Sequence, residues 1–157
     1  MKSIIYAIFI IFIVSLLSCS QNKKNIRIHV FYKNRTPSLK VLDAVKELLD
    51  GYNDNYEIIF LDIEDELNFD LISKFNLPET HLPFAVVIDG KYTAINKDKE
   101  LISFVHFPLF MKGIGRHEGN WSLDDLSNAL NDNTLLLEQN ILPELNEDEE
   151  TTQCEDE

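Results

Sequence analysis

Cysteine is scarce in this chain of 157 residues, which has only Cys19 and Cys154. The two lie near opposite ends, and the segment between them contains no thiol. A dithiol oxidoreductase needs two cysteines in one short motif, and a disulfide-rich domain needs several pairs. The composition therefore argues against both classes and predicts a domain stabilised by its apolar core.

Basic residues are also few, with 14 Lys and Arg against 27 Asp and Glu and a net charge of −13. Residues 144–157 carry eight acidic groups and no basic one. This balance argues against a nucleic-acid partner and against adsorption to an anionic lipid surface. Residues 143–157 are predicted to be a disordered, solvating acidic tail. The alternative is that this tail attracts a basic partner or, weakly, divalent cations.

The one long apolar run spans residues 4–17, follows Lys2 and is interrupted only by Ser15. It is too short for a comfortable membrane span and has the length of a signal-peptide core. It ends in Leu16-Leu17-Ser18-Cys19, which resembles a bacterial lipobox, in which the chain is cut before the cysteine and the thiol receives lipid. The alternative is an uncleaved N-terminal helix with an unmodified Cys19.

Four segments follow from this interpretation, namely a lipoprotein signal peptide at 1–18, a tether at 19–25, a domain at 26–142 and the acidic tail at 143–157. Acyl chains on Cys19 would hold the protein at a membrane. The predicted location is the cell membrane or the outer membrane, with the domain facing the periplasm or the exterior.

Apolar periodicity predicts alternating strands and helices in the first part of the domain. Thr36 as a capping residue and Pro37 at the first helical position mark the start of a helix that Gly51 ends. An Asp-Gly pair at 89–90 signals a tight hairpin. The predicted elements are a strand at 26–32, a helix at 37–50, a strand at 56–63, a short helix at 68–75 and strands at 84–88 and 91–95.

Helices are predicted for the remainder. The apolar segment 99–111 should begin as a helix that Pro108 ends or bends. Ser122 and Asp125 form a capping-box pattern before a helix with a leucine stripe. Residues 135–142 should form a last turn or short helix.

Two segments resemble thioredoxins and glutaredoxins. IRIHVFYKNRTPSLKVLDAVKELLD is similar to their first strand and helix, and NLPETHLPFAVVIDGKY is similar to the region in which a cis-proline precedes the third strand. The likeness covers roughly residues 25–105. It implies an α/β, thioredoxin-like domain with a central mixed four-stranded sheet flanked by helices, here with an extra C-terminal helical segment.

The resemblance places Pro83 at the cis-proline position and Thr36-Pro37-Ser38-Leu39 where active members have Cys-x-x-Cys. This quartet contains no cysteine, so no dithiol redox site is predicted, and glutathione is not predicted as a cofactor. In the family, the backbone before the cis-proline pairs with an extended substrate. Thr36, Pro37, Leu82 and Pro83 are therefore the candidate binding groove, with Leu82 supplying the edge. The simpler alternative is that Thr36 only caps a helix.

Arg116, His117 and Glu118, near Trp121, are the most distinctive polar cluster outside the resemblance. They could form an acid–base or metal site, but a metal needs three or four converging ligands. A loop salt bridge beside a packed Trp121 is the simpler interpretation. The remaining histidines are interpreted as structural, namely His29, His81 and His106.

Two other features leave alternatives open. The aromatic segment, residues 104–111, is either core packing or an exposed docking patch for a partner or the membrane surface. It contains Phe104, Phe107, Leu109, Phe110 and Met111. Cys154 is either incidental or forms an intermolecular disulfide with a partner.

The sequence thus predicts a membrane-anchored, redox-inactive, thioredoxin-like lipoprotein. It would act as a protein- or peptide-binding or scaffolding module, with an envelope protein as its partner. The alternatives are a thiol–disulfide accessory enzyme using Cys154 and a metal-dependent activity at His117 and Glu118. No cofactor and no complete set of metal ligands is predicted.

Overall fold

The computed structural model describes residues 26–111 and 117–143, in which strand β1 (Ile26–Tyr32) runs through the centre of the core. Three of its side chains, Ile28, Val30 and Phe31, are completely buried. The predicted signal peptide, tether and acidic tail lie outside the described residues, as do Cys19, Cys154 and Arg116. Within the described ranges, none of the helices has both the length and the apolar character that a bilayer crossing requires.

Helix α1 (Ser38–Leu49) and strand β2 (Tyr56–Asp62) complete a β-α-β unit, since β1 and β2 pair in parallel. A short helix α2 (Phe69–Lys74) leads to β3 (Phe84–Ile88), which pairs antiparallel with β1. The strand order is β2-β1-β3. This mixed α/β architecture agrees with the coarse prediction.

The predicted four-stranded sheet is not present in that form. A separate two-stranded sheet follows the three-stranded one, formed by β4 (Thr93–Ile95) and β5 (Leu101–Ser103). The residues after β5 then run beside β3. The Val86 N–H donates to the Phe104 carbonyl at 2.8 Å, and the His106 N–H donates to the Phe84 carbonyl at 2.9 Å.

The helix predicted at 99–111 is therefore wrong. Residues 102–108 are all buried and mostly apolar, so no exposed face shows a period, and a helix cannot be distinguished from a fully covered extended segment. The backbone forms β5 and then the pairing with β3. Only Leu109–Met111, after Pro108, forms a 3₁₀ turn.

Helix α3 (Leu123–Asn131) has the predicted capping box, in which the Ser122 hydroxyl accepts from the Asp125 N–H and the Asp125 carboxylate accepts from the Ser122 N–H. Two tyrosines hold this helix, namely Tyr52 between α1 and β2 and Tyr56 at the start of β2. Tyr52 and Ser127 hydroxyls lie 2.9 Å apart, and the Tyr56 hydroxyl donates to the Leu130 carbonyl at 2.6 Å.

Residues after α3 dock on the body as predicted, but mainly as extended chain rather than helix. A 3₁₀ turn spans Asn133–Leu135, and Leu136 then bridges to Ala94. The Leu137 N–H donates to the Thr93 carbonyl at 2.9 Å, and the Thr93 hydroxyl exchanges hydrogen bonds with the Ile141 backbone.

Two predicted features of α1 also differ. The helix begins after Pro37, and no side chain caps it, so Thr36 is not the cap. It ends at Leu49 and continues as a 3₁₀ turn through Gly51, which does not have a left-handed conformation. The helix thus ends within one residue of the predicted position, but without the left-handed glycine cap that the prediction assumed.

Candidate functional site

The β1–α1 junction, residues 33–38, packs against the segment that precedes β3. The Lys33 N–H donates to the Pro83 carbonyl at 3.2 Å, and the Ser38 hydroxyl donates to the same oxygen at 3.0 Å. Ser38 is 2% exposed. The Ser38 hydroxyl thus gives the buried Pro83 carbonyl a second hydrogen-bond donor, in addition to the Lys33 N–H.

The four predicted groove residues are brought to one region, but they differ in access. Thr36 is exposed and Pro37 is half-buried, whereas Leu82 is 2% exposed and Pro83 is buried. Leu82 therefore does not offer an open edge to an extended peptide. Only Thr36 and Pro37 reach the surface.

The cis-proline prediction is also wrong in its position. The single cis peptide bond within the described ranges joins Thr36 to Pro37, so the bond before Pro83 is trans. The residue before Leu82, His81, has a left-handed backbone with φ of 58°. The segment at 81–83 therefore follows a different path from the one that the resemblance implied.

The exposed part of the junction is polar and carries positive charge in an acidic protein. Asn34, Arg35 and Thr36 are exposed, and Lys33 is half-exposed. The Arg35 guanidinium lies 3.8 Å from the Glu64 carboxylate, with both side chains more than half exposed. An exposed pair at that distance contributes little, so Arg35 is available to other anions.

Three of the four histidines, which we call the histidine cluster, converge beside this junction. They are His81, His106 and His117, and they come from segments far apart in sequence. The ring centroids of His81 and His117 are 6.2 Å apart, and those of His106 and His117 are 6.3 Å apart. Pairing of Phe84 with both Tyr32 and His106 places the cluster at the end of the sheet that holds the junction.

His106 is the buried member of the cluster, at 3% exposed, and its Nδ1 has no hydrogen-bond partner. Its pKa is lowered from 6.5 to about 4, first because burial disfavours the charged form and then because His117 and His81 repel a second positive charge. His106 is therefore a neutral imidazole near pH 7.

His117 and Glu118 follow the residues left undescribed, so their predicted partner Arg116 cannot be placed beside them. Both are half-buried, and their backbone extends the pairing of the preceding chain. The Phe107 N–H donates to the His117 carbonyl at 2.9 Å, and Glu118 bridges to Phe107. Across 26–111 and 117–143, no group of three or more His, Cys, Asp or Glu side chains could hold a metal ion.

His29 lies outside the cluster, on β1. Its ring is 5.0 Å from that of Phe75 and 6.4 Å from that of Phe31. Its pKa is lowered by burial and, less, by the charges of Arg27 and Lys74. The side chain is thus part of an aromatic core contact.

The aromatic segment is divided between the core and the surface. Phe104 and Phe107 are buried at 0% and 1% exposed, and Phe104 meets the buried Trp121 edge-on at 5.6 Å. Leu109 and Phe110 are exposed instead. The first half therefore belongs to the core, and only the 3₁₀ turn after Pro108 presents apolar surface.

Sequence reasoning missed Ser38 and the histidine cluster. Ser38 stood in the quartet that replaces Cys-x-x-Cys, but its value depends on the distant Pro83. The three histidines are brought together only by the pairing of 104–107 with its neighbours. Comparisons with known protein families, with curated proteins and with solved structures find no match.

Proposed function

We propose that the chain is a lipid-anchored, redox-inactive, thioredoxin-like module that binds a protein or peptide partner in the cell envelope. The domain is 26–142, and Cys19 carries the lipid. The order β2-β1-β3, with a parallel β1–β2 pair and an antiparallel β1–β3 pair, supports the thioredoxin-like assignment.

One observation carries the binding role. The β1–α1 junction is fixed to the segment before β3 by two hydrogen bonds to the Pro83 carbonyl, yet it contains no thiol. A rigid polar junction without a nucleophile can hold a partner but cannot exchange disulfides with it.

The proposed contact surface follows from the burial pattern. Leu82 and Pro83 support it from the inside, and Thr36 and Pro37 form its accessible part. Lys33 and Arg35 add positive charge, so the partner segment should be polar or acidic. The partner is therefore proposed to contact side chains of the junction, and not to add a strand at Leu82.

Site-specific photo-cross-linking in cells tests this surface. A photoreactive phenylalanine replaces the exposed Thr36, and in a matched control it replaces Lys97. Lys97 lies in the exposed turn that joins β4 to β5. This turn is at the end of the strands opposite to the β1–α1 junction. A third variant carries it at Phe110. We expect an envelope protein cross-linked from position 36 only, through a polar or acidic segment.

Affinity measured with the purified partner completes the test. Thr36→Trp should weaken binding at least tenfold, whereas Lys97→Trp should leave it unchanged. Equal cross-linking from positions 36 and 97, or cross-linking from position 110 alone, would overturn the proposed surface.

A further inference from the structure

We propose that the outer edge of β2 is a self-association surface, through which two copies of the chain pair antiparallel about a twofold axis. This surface is separate from the β1–α1 junction and does not depend on the peptide contact there. β2 is an outer strand in the order β2-β1-β3, and across 26–111 and 117–143 it pairs only with β1. The other outer strand, β3, is covered by its pairing with residues 104–106. β2 is therefore the open edge of this sheet.

The backbone groups of β2 point alternately to β1 and to the outside. The Ile63 N–H, directly after the strand, donates to the Tyr32 carbonyl at 3.0 Å, so odd-numbered residues direct their N–H and C=O groups to β1. Even-numbered residues direct theirs outward. The Asp62 carbonyl already accepts a side-chain hydrogen bond at 2.8 Å. Ile58 and Phe60, in the middle of the strand, have no such partner among the described residues.

The edge lacks the features that usually prevent two strands from pairing. Proteins protect open edges with proline, with bulges or with charged side chains in the strand. The register of β2 with β1 is continuous over all seven residues, and the middle of the strand, Ile58-Ile59-Phe60-Leu61, carries no charge. Phe60 is 38% exposed, and Ile58 and Ile59 are half-buried. Covering this edge would therefore remove apolar surface from water and satisfy backbone groups.

A second copy of the chain is complementary to this edge. A twofold axis at Ile59 places Ile58 of each copy opposite Phe60 of the other, so that their outward N–H and C=O groups hydrogen-bond to each other. A β-branched residue opposite an aromatic one is a favourable cross-strand pair. Both acidic residues of β2 then face an uncharged side chain of the other copy. The edge thus matches itself in backbone polarity, in apolar contact and in charge.

Charges beside α1 favour the same arrangement. The Lys46 ammonium lies 5.1 Å from the centre of the Phe60 ring, so this side of α1 is next to the β2 edge. Asp50 follows four residues later, about 6 Å further along the helix axis and towards the start of β2. Both side chains are exposed. With the axis at Ile59 and a rise of about 3.3 Å per strand residue, Lys46 of one copy is roughly level with Asp50 of the other.

The dimer would have one continuous sheet with three strands from each copy. The contact consists of one strand pair and the flanking α1 helices, which is small beside the about 1,200–2,000 Å² that stable complexes bury. We therefore expect a reversible dimer with a Kd in the micromolar range. Because the two copies are antiparallel, their β1–α1 junctions lie at opposite ends of the sheet, where each can hold a partner of its own.

Disulfide trapping of the full chain in mild detergent tests the register, in a Cys154→Ser background. Ile59→Cys places a thiol at the axis, where opposite residues have Cα atoms about 4.5 Å apart, within disulfide range. Glu57→Cys is the matched control, because it lies on the same strand and face but about 13 Å from its own copy. We expect a covalent dimer on a non-reducing gel from Ile59→Cys, and none from Glu57→Cys or from the background chain.

Sedimentation in density-matched detergent measures the equilibrium without a cross-link. Phe60→Lys should weaken dimerisation on the order of tenfold or more, because it places a charge in the edge. Phe110→Lys changes an exposed aromatic residue outside β2 and should leave the dimer unchanged. Circular dichroism confirms that both variants keep their fold.

A mixing experiment tests the charges across the axis. Lys46→Asp and Asp50→Lys should each weaken dimerisation, because each brings like charges together at two symmetric positions. A mixture of the two variants should restore it, since every contact then joins opposite charges. A chain that stays monomeric at about 100 µM, a dimer unaffected by Phe60→Lys, a mixture as weak as its components, or Ile59→Cys cross-linked only to another protein would overturn the dimer.

Discussion

The Ser38 hydroxyl donates a hydrogen bond of 3.0 Å to the Pro83 carbonyl and so joins the first turn of α1 to the segment before β3. The two residues are 45 positions apart, and both are buried. Ser38 lies within the Thr36-Pro37-Ser38-Leu39 quartet, and its hydroxyl is used for a structural contact. The first prediction concerns this contact.

Ser38→Ala should lower the free energy of unfolding by about 0.5–1.5 kcal/mol, the usual net contribution of one buried hydrogen bond. The loss is limited because the Lys33 N–H still donates to the same carbonyl. Urea unfolding measures it, and Ser73→Ala on the exposed face of α2 is the control. Equal stability of the two variants would show that the Ser38 bond contributes nothing.

Gly119 and Gly51 should respond in opposite ways to alanine. A Cβ on Gly119 would lie 2.6 Å from the Val105 carbonyl oxygen and 2.8 Å from that of Phe107, so the buried extended segment would have to shift. We expect a loss of about 1–3 kcal/mol, as for other overpacked sites.

A Cβ on Gly51 meets nothing within 4 Å, and its backbone is not left-handed. Gly51→Ala should therefore be neutral or stabilise by about 0.4–1 kcal/mol through the unfolded chain. Thermal unfolding of the two variants distinguishes steric overlap at Gly119 from the chain-entropy effect at Gly51. A loss at Gly51 as large as that at Gly119 would contradict the packing argument.

His106 should make stability depend on pH. Its pKa is about 4 in the folded protein and 6.5 when unfolded, so the unfolded chain takes up a proton first as pH falls below 6.5. Stability from this group is complete above pH 6.5 and falls by up to about 1.4 kcal/mol per pH unit towards pH 4.

His106→Asn should flatten that slope when unfolding is measured between pH 7 and 5, where most carboxylates stay ionised. Asparagine tolerates the left-handed backbone at this position, where φ is 66°. His29→Asn is the comparison, since it removes a different lowered pKa and keeps the His106 contribution. An unchanged slope in His106→Asn would show that this histidine is not the source.

The lipid on Cys19 remains a prediction from the sequence. Labelled palmitate should enter the native chain and the Cys154→Ser variant, but not Cys19→Ala. Cell fractionation should find only Cys19→Ala released from the membrane. An equally membrane-bound Cys19→Ala would support the uncleaved N-terminal helix instead.

Local patterns predicted the elements that have a periodic signal or clear boundaries. β1 has the predicted bounds because polar and apolar residues alternate towards its start, and β3, although buried throughout, is bounded by Pro83 and Asp89. The segment from 99 failed because residues 102–108 are all buried and no turn residue divides them before Pro108, so neither a period nor a boundary indicated a strand. The pairing of β4 with β5, rather than with β3, depends on that same segment.

The candidate site was predictable only in part. The approach of the junction to Pro83 followed from two ordered segments, but the burial of Leu82 did not, since chain neighbours alone do not determine what covers a residue. The histidine cluster needs a tertiary pairing between 104–107 and 117–118. No spacing within a single element could have indicated it.

Trp121 is completely buried between Phe84 and Phe104, although it lies late in the chain. A growing chain that has reached only residue 105 still lacks the largest buried side chain of its interior. Tyr52 and Tyr56 likewise lack their hydrogen-bond partners until α3 is present. Because these contacts span long stretches of sequence, complete packing of the interior requires nearly the whole chain.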